Sequence, residues 1–210
     1  LITYMRTDST RISKEMQVMA KDFILRNYGE EYYPSKPNVY GSKGSAQDAH
    51  EAIRPTSLEL TPKMVEPFLS RDELKLYTLI WNRFMASQMA PQQNESTTIE
   101  LTVHDDYTFK ATGSRVIFPG FSAVYEDAKK EDVPQLPALK KNDAAHTVEV
   151  LPEQHFTQPP PRYSEASLIK TLEELGIGRP STYAPTLDTI VSRNYVENTN
   201  KQFVPTELGF

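Results

Sequence analysis

The sequence contains no cysteine. Disulfides and thiolate metal sites are thereby excluded, a zinc ribbon among them, and the composition suits a reducing cytoplasm. No apolar run comes near the ~18 residues of a bilayer crossing, and the opening residues lack the pattern of a signal peptide. Neither export nor membrane spanning is supported, so a soluble cytoplasmic protein is expected. Positive charge is also in deficit: 28 Asp and Glu outweigh 23 Lys and Arg, giving a formal charge of −5 and a pI near 5.5. Such a chain does not coat duplex DNA over its whole surface, and any nucleic-acid site must be local. Hydrophobic residues make up only 38% of the 210 positions, low for one well-buried core, which predicts an extended molecule of several lobes.

What is present is concentrated. The stretch Leu1-Ile2-Thr3-Tyr4-Met5-Arg6-Thr7-Asp8-Ser9-Thr10 holds a phenol, a guanidinium, a carboxylate and a row of hydroxyls. If it runs extended, alternation sends Tyr4, Arg6 and Asp8 to one face and Thr3, Met5 and Thr7 to the other. A phenol, with a reference pKa of about 10, is a weak nucleophile at neutral pH unless a nearby cation favours its ionised form. Arg6 would supply that charge and a planar fork for two phosphate oxygens, and Asp8 would hold the fork. An ordinary strand tyrosine beside a surface arginine has the same spacing, so spacing alone leaves the role of Tyr4 open.

Two further stretches carry phosphate chemistry. In Gln47 to Thr56, Pro55 discourages a helix from continuing through Arg54, which predicts a short helix leading to a turn. His50 there suits hydrogen bonding to a phosphate or its protonation, as well as a structural role. Glu51 and Arg54 either pair with each other or flank a DNA backbone. In Gly178-Arg179-Pro180-Ser181-Thr182, glycine allows close approach while the fork, the hydroxyls and the free amides of a helix start favour an anion. Arg193 falls near the end of that helix. The bland alternative is that Ser181 or Thr182 caps the helix and Arg193 complements its dipole.

The remaining pattern is scaffold. Ser13 is an N-cap for a helix with Met16, Met19, Ala20, Phe23 and Ile24 on its core stripe, stopped at Gly29. A loop over 30–45 follows, where Lys36 and Lys43 are solvated charges or DNA contacts. Ser70-Arg71-Asp72-Glu73 is a capping box opening a helix striped by Leu74, Tyr77, Trp81, Phe84, Met85 and Gln88, with the lone tryptophan in a helix interface. The period then changes to two: Ile99, Leu101 and Val103, then Tyr107, Phe109 and Ala111, predict a hairpin turning at Asp105-Asp106. Short strands are expected at 116–118, 121–125 and 147–151. Pro159-Pro160-Pro161 reads as a stiff linker. Beyond it, a helix from Ser164 to Gly176, a second from Pro180 or Ser181 towards Ser192 and a hairpin around 198–201 predict a winged-helix-like unit. His104, His146 and His155 are too scattered for a metal site. The expected fold class is mixed, mainly α with a smaller antiparallel β region.

Three stretches, Ile2 to Ser9, Ala49-His50-Glu51-Ala52-Ile53-Arg54-Pro55-Thr56 and Gly176-Ile177-Gly178-Arg179-Pro180-Ser181-Thr182-Tyr183-Ala184, resemble in order the signatures of type IA DNA topoisomerases. Met5 between the tyrosine and the arginine resembles the bacterial branch. The resemblance covers the whole chain as an internal piece of a longer enzyme, and both ends read as cut. It implies helical lobes joined by a β arch: an active-site domain at 1–93, an arch and hinge at 94–158, and a DNA-binding segment at 159–210. It also implies that Tyr4 attacks a DNA phosphodiester and holds the 5′-phosphate, with Arg6 and His50 as catalytic partners. Thr7, Asp8, Arg54, Arg179, Ser181, Thr182 and Arg193 would contact single-stranded DNA.

The implied activity is relaxation of negative supercoils without ATP, in a cytoplasmic, nucleoid-associated enzyme. Mg²⁺ would be bound by an N-terminal Toprim domain; no Asp-x-Asp-x-Glu run occurs here, so the chain alone is expected to be inactive. Expected partners are single-stranded and negatively supercoiled DNA and the remaining domains of the same enzyme. A non-enzymatic winged-helix DNA-binding module is the competing expectation, and a tyrosine phosphotransferase-like scaffold a distant third.

Overall fold

Ser13 starts the first helix as its sequence requires: its hydroxyl accepts from the Met16 amide and opens α1 (Lys14–Asn27). The computed structural model describes residues 1–7, 9–40, 50–103, 107–125 and 136–210. These form two units, Leu1–Thr147 and Val148–Phe210, each considered by itself. The expectations for Asp8, Lys43 and the Asp105-Asp106 turn lie outside the described residues.

In the first unit, α1 is followed by the short α2 (Pro62–Val65) and the long α3 (Arg71–Gln88). Met16, Ala20, Phe23 and Ile24 of α1 pack against Tyr77, Trp81, Phe84 and Met85 of α3, and Leu58, Val65 and Met89 close the cluster. The helical stripe read from the sequence is the buried face, with Met19 left outside it. Trp81 meets Phe23 edge to face at 5.8 Å. Its indole N–H donates to the Leu58 carbonyl at 3.4 Å, and the Tyr77 hydroxyl to the Leu60 carbonyl at 2.6 Å. These two polar tips tie the 58–60 segment to α3, and that segment continues from the His50 stretch.

The capping box is complete. The Ser70 hydroxyl accepts from the Glu73 amide, and the Glu73 carboxylate accepts from the Ser70 amide at 2.9 Å. Hydrogen bonds from the Ser70 side chain and backbone hold the Glu73 carboxyl below its ordinary range. A depressed carboxyl stabilises the fold above its unfolded pKa, and that contribution fades as pH falls through the folded value. Ser70→Ala should lower stability in urea unfolding at neutral pH, because both bonds of the Ser70 hydroxyl in the capping box are lost. The difference from wild type should shrink once the pH falls below the ordinary glutamate range.

After α3 the chain turns at Gly120 and Ala90. Gly120 has φ +50° and lies so close to the Ala90 and Pro91 carbonyls that a Cβ there would approach them to 2.5 Å. The Phe121 amide donates to Ala90 at 2.9 Å. Between them, β1 (Gln93–Val103) and β2 (Tyr107–Phe118) form one long antiparallel hairpin. One face pairs Ile99 with Ala111, Leu101 with Phe109 and Val103 with Tyr107; the other pairs Thr98 with Thr112 and Glu100 with Lys110.

The expected extra strands resolve differently. Residues 116–118 continue β2, because the ladder extends to Asn94 and Gln93. Gly120–Ala123 is a 3₁₀ turn instead of a strand, its backbone used in the contact with Ala90. Residues 147–151 form no strand: Val148 and Val150 are exposed, and no neighbouring strand among the described residues takes their hydrogen bonds.

The second unit comprises α4 (Glu165–Glu174), α5 (Pro180–Ser192) and the hairpin β3 (Val196–Thr199) with β4 (Gln202–Pro205). The Ser164 hydroxyl caps α4, and Gly176, at φ +70°, ends it with its amide donating to the Glu173 carbonyl. Asn200 and Lys201, both at positive φ, make the two-residue hairpin turn, and Leu187 and Phe203 are buried. The molecule is thus mixed α/β with small antiparallel sheets. No described helix is long and apolar enough to cross a membrane.

Candidate functional site

The first and second motifs meet through backbone, not through a helix. The Thr3 amide donates to the Arg54 carbonyl at 2.9 Å, the Thr56 amide to the Leu1 carbonyl at 3.0 Å, and Ile2 bridges Pro55. Residues 50–56 are accordingly not helical, which corrects the expectation for the described part of that stretch. The Ala52 and Arg54 carbonyls are spent on Thr3 and the His50 carbonyl on Ser9. Pro55 is fully buried and Ile2 packs on the core, so the junction is anchored from below.

Side chains lock the same junction. The Thr3 hydroxyl donates to the Ala52 carbonyl at 2.8 Å and accepts from the Arg54 amide at 3.0 Å. Ser9, only 6% exposed, donates to the His50 carbonyl at 2.7 Å. The Arg11 carbonyl accepts from the Ala52 amide at 2.8 Å. Thr3, Ser9 and Arg11 were not singled out from the sequence as positioning residues. Their partners lie some forty to fifty positions away, and no local pattern announces such a pair.

This framework brings Arg6 and His50 together, with the Arg6 guanidinium 3.4 Å from His50 Nε2. A guanidinium has donors only, so in this contact Nε2 is the acceptor. Nδ1 is buried without a hydrogen-bond partner among the described residues. Tyr4 is 78% exposed beside this pair in sequence, and its hydroxyl has no hydrogen-bond partner among the described residues. Thr7 is exposed in a turn.

The choice left open for Glu51 and Arg54 is made by the structure. Arg54 donates from Nε at 3.0 Å and from a terminal nitrogen to the same Glu51 oxygen, and from its other terminal nitrogen to the Pro55 carbonyl at 3.0 Å. The two side chains are 14% and 23% exposed. A guanidinium so committed reaches a phosphate only by giving up a partly buried pair, an expensive exchange.

The third motif lies in the second unit, at the start of α5. Gly178 has φ +79°, and a Cβ there would meet the Thr182 hydroxyl at 3.1 Å. The Thr182 hydroxyl accepts from the Arg179 amide at 2.9 Å and donates to the Arg179 carbonyl at 3.0 Å. The Arg179 side chain folds back onto the Gly178 carbonyl at 2.8 Å. Thr182 thus shapes the turn, as the capping alternative supposed. Ser181 is exposed and its hydroxyl has no partner among the described residues. Arg193 is the exposed C-terminal cap residue of α5, its amide bonded to Thr189 at 3.0 Å.

Among the described residues no group of three or more His, Asp or Glu side chains is placed to hold a metal ion. The donor set for the Mg²⁺ that the resemblance implies is therefore not met among these residues.

Comparison with known proteins gives two findings. The family model described as DNA topoisomerase matches residues 1–210. The structure of full-length topoisomerase I from Thermotoga maritima is similar to this one at 37% sequence identity and a TM-score of 0.75. The similarity covers 99% of this chain and 33% of that chain, so the present residues span about a third of that protein.

Proposed function

Since the chain belongs to the bacterial type IA DNA topoisomerases, we propose that it is the central part of an enzyme that cuts and rejoins one DNA strand through Tyr4. The carrying observation is the junction that holds the Arg6 guanidinium against His50, two residues from an exposed tyrosine. In the proposed reaction the Tyr4 oxygen bonds to phosphorus, the bond from phosphorus to the 3′ oxygen breaks, and a 3′-hydroxyl leaves with the proton. The DNA 5′-phosphate stays on the tyrosine. One phosphate ester replaces another, so the reverse attack rejoins the strand without ATP, and superhelical strain relaxes between the two steps.

Arg6, which carries donors only, would turn from His50 to the phosphate oxygens and offset the charge of the pentacoordinate transition state. His50 Nε2, released from Arg6, would then hydrogen-bond near the break. Thr7 and Asp8 would flank the strand. Arg54 fits the role of bracing the His50 loop through Glu51 better than direct contact, since its fork is already filled.

The second unit would follow the strand backbone. Its helix, turn, helix and hairpin are read as a winged-helix-like lobe, in which Arg179, Ser181, Thr182 and Arg193 meet phosphates, Thr182 only after yielding its bond to Arg179. A phosphate contact carries no base information but adds salt dependence. Arg193→Ala should weaken binding of a single-stranded oligonucleotide and reduce its log–log salt slope by about 0.7, measured by filter binding across a salt series.

The defining experiment incubates the whole enzyme with Mg²⁺ and an end-labelled single-stranded oligonucleotide, then denatures it. A protein-linked DNA band attached through the 5′ end of the cut is expected. DNA binding without any adduct would instead favour a winged-helix module that only binds.

A further inference from the structure

Below the catalytic junction the first unit holds a cavity of about 490 Å³, a size typical of small-molecule sites. Its walls are apolar: Ile12, Ala52, Ile53, Phe84 and Phe121. Ala52 and Ile53 belong to the segment that carries His50, so an occupant would rest against the back of the active-site loop.

The polar groups at the cavity are mostly spent. The Tyr40 hydroxyl donates to the Ser87 carbonyl at 2.7 Å, and the Ser87 hydroxyl to the Phe84 carbonyl at 2.6 Å. Arg83 is different. It is exposed at the rim, its guanidinium lies 4.9 Å from the Tyr125 ring centroid, and no carboxylate among the described residues pairs with it. Burial pushes the Tyr40 phenol up from its usual range despite the opposing charge of Arg83, so at neutral pH it does not neutralise the arginine. Among the described residues, a ligand is therefore offered one unpaired cation and a set of apolar walls.

We propose that this cavity binds a planar aromatic carboxylate, with its ring against Ile12, Ile53 and Phe121 and its carboxylate on Arg83. The guanidinium fork suits a carboxylate, and its contact with the Tyr125 ring at 4.9 Å holds it at the rim. The occupant would be a small anion, distinct from the DNA strand that runs over Tyr4.

The test uses the whole enzyme without DNA and 2-naphthoate as the probe, with 2-naphthamide as its neutral counterpart, both followed by saturation-transfer NMR. Saturable naphthoate binding with a Kd between about 10 µM and 1 mM is expected. The amide should bind about ten-fold more weakly, and Arg83→Gln should weaken naphthoate by a similar factor while leaving the amide unaffected. Arg83→Lys should restore part of the loss. Because Arg83 is exposed, neither variant disturbs the buried core. Equal binding of acid and amide, unchanged binding by Arg83→Gln, or no saturable binding up to about 5 mM would each overturn the proposal. None of these outcomes bears on whether Tyr4 forms a DNA adduct, so the two readings stand or fall separately.

Discussion

Tyr4→Phe is expected to abolish the covalent protein–DNA adduct completely while leaving single-strand affinity within about two-fold of wild type. The change removes one oxygen, the atom proposed to bond to phosphorus. It should cost little stability, because the side chain is 78% exposed and its hydroxyl holds nothing else in place among the described residues. A neighbouring hydroxyl is a poor substitute. Thr3 is turned towards the Ala52 carbonyl and Ser9 is buried under the His50 carbonyl, both already used as donors. Denaturing gels of wild type and variant with the same labelled oligonucleotide decide the matter. An adduct that persists in the phenylalanine variant would remove Tyr4 from the nucleophile's role and would direct the search to those hydroxyls.

The second large effect is on stability. Trp81→Ala should destabilise the first unit by about 3–5 kcal/mol, since truncating a large buried aromatic loses both its transfer free energy and the packing around the cavity left behind. Trp81 is 5% exposed and touches Phe23 across the α1–α3 interface. It also anchors the Leu58 carbonyl. The loss should therefore extend beyond the core, because residues 58–60 continue from the loop that holds His50 against Arg6. Urea unfolding followed by circular dichroism gives the size, and amide exchange at Ala52 and Arg54 reports the loosening of the junction. A loss below about 1 kcal/mol would mean that the tryptophan fills no essential space. Normal exchange at those amides would mean that the Leu58 anchor does not transmit to the site.

The helices were legible because their signals are local. Ser13 and Ser70 cap the turns that follow them, Gly176 ends α4, and the stripes Met16 to Ile24 and Tyr77 to Met85 are the faces that meet. The hairpin was legible from its period, although 116–118 turned out to extend β2 and 121–125 to be a turn. Alternation cannot distinguish a new strand from the end of an old one. Nor can it foresee that Gly120 approaches Ala90 too closely for a strand to start.

By itself the sequence determined which side chains are suited to phosphate chemistry and in what order they come, because a phenol, a guanidinium and an imidazole are properties of residues. Through three motifs it also pointed to the family, which the comparison over residues 1–210 bears out. Only the tertiary structure decided what those side chains do to one another. It drew residues 50–56 out of a helix and onto residues 1–3, spent Arg54 on Glu51, turned Thr182 back onto its own turn, and set Arg6 against His50. Each of these is a competition for one hydrogen-bond partner among several: for residues 50–56 the winner is the distant backbone of residues 1–3, and for Arg54 and Thr182 it is a neighbour three positions away.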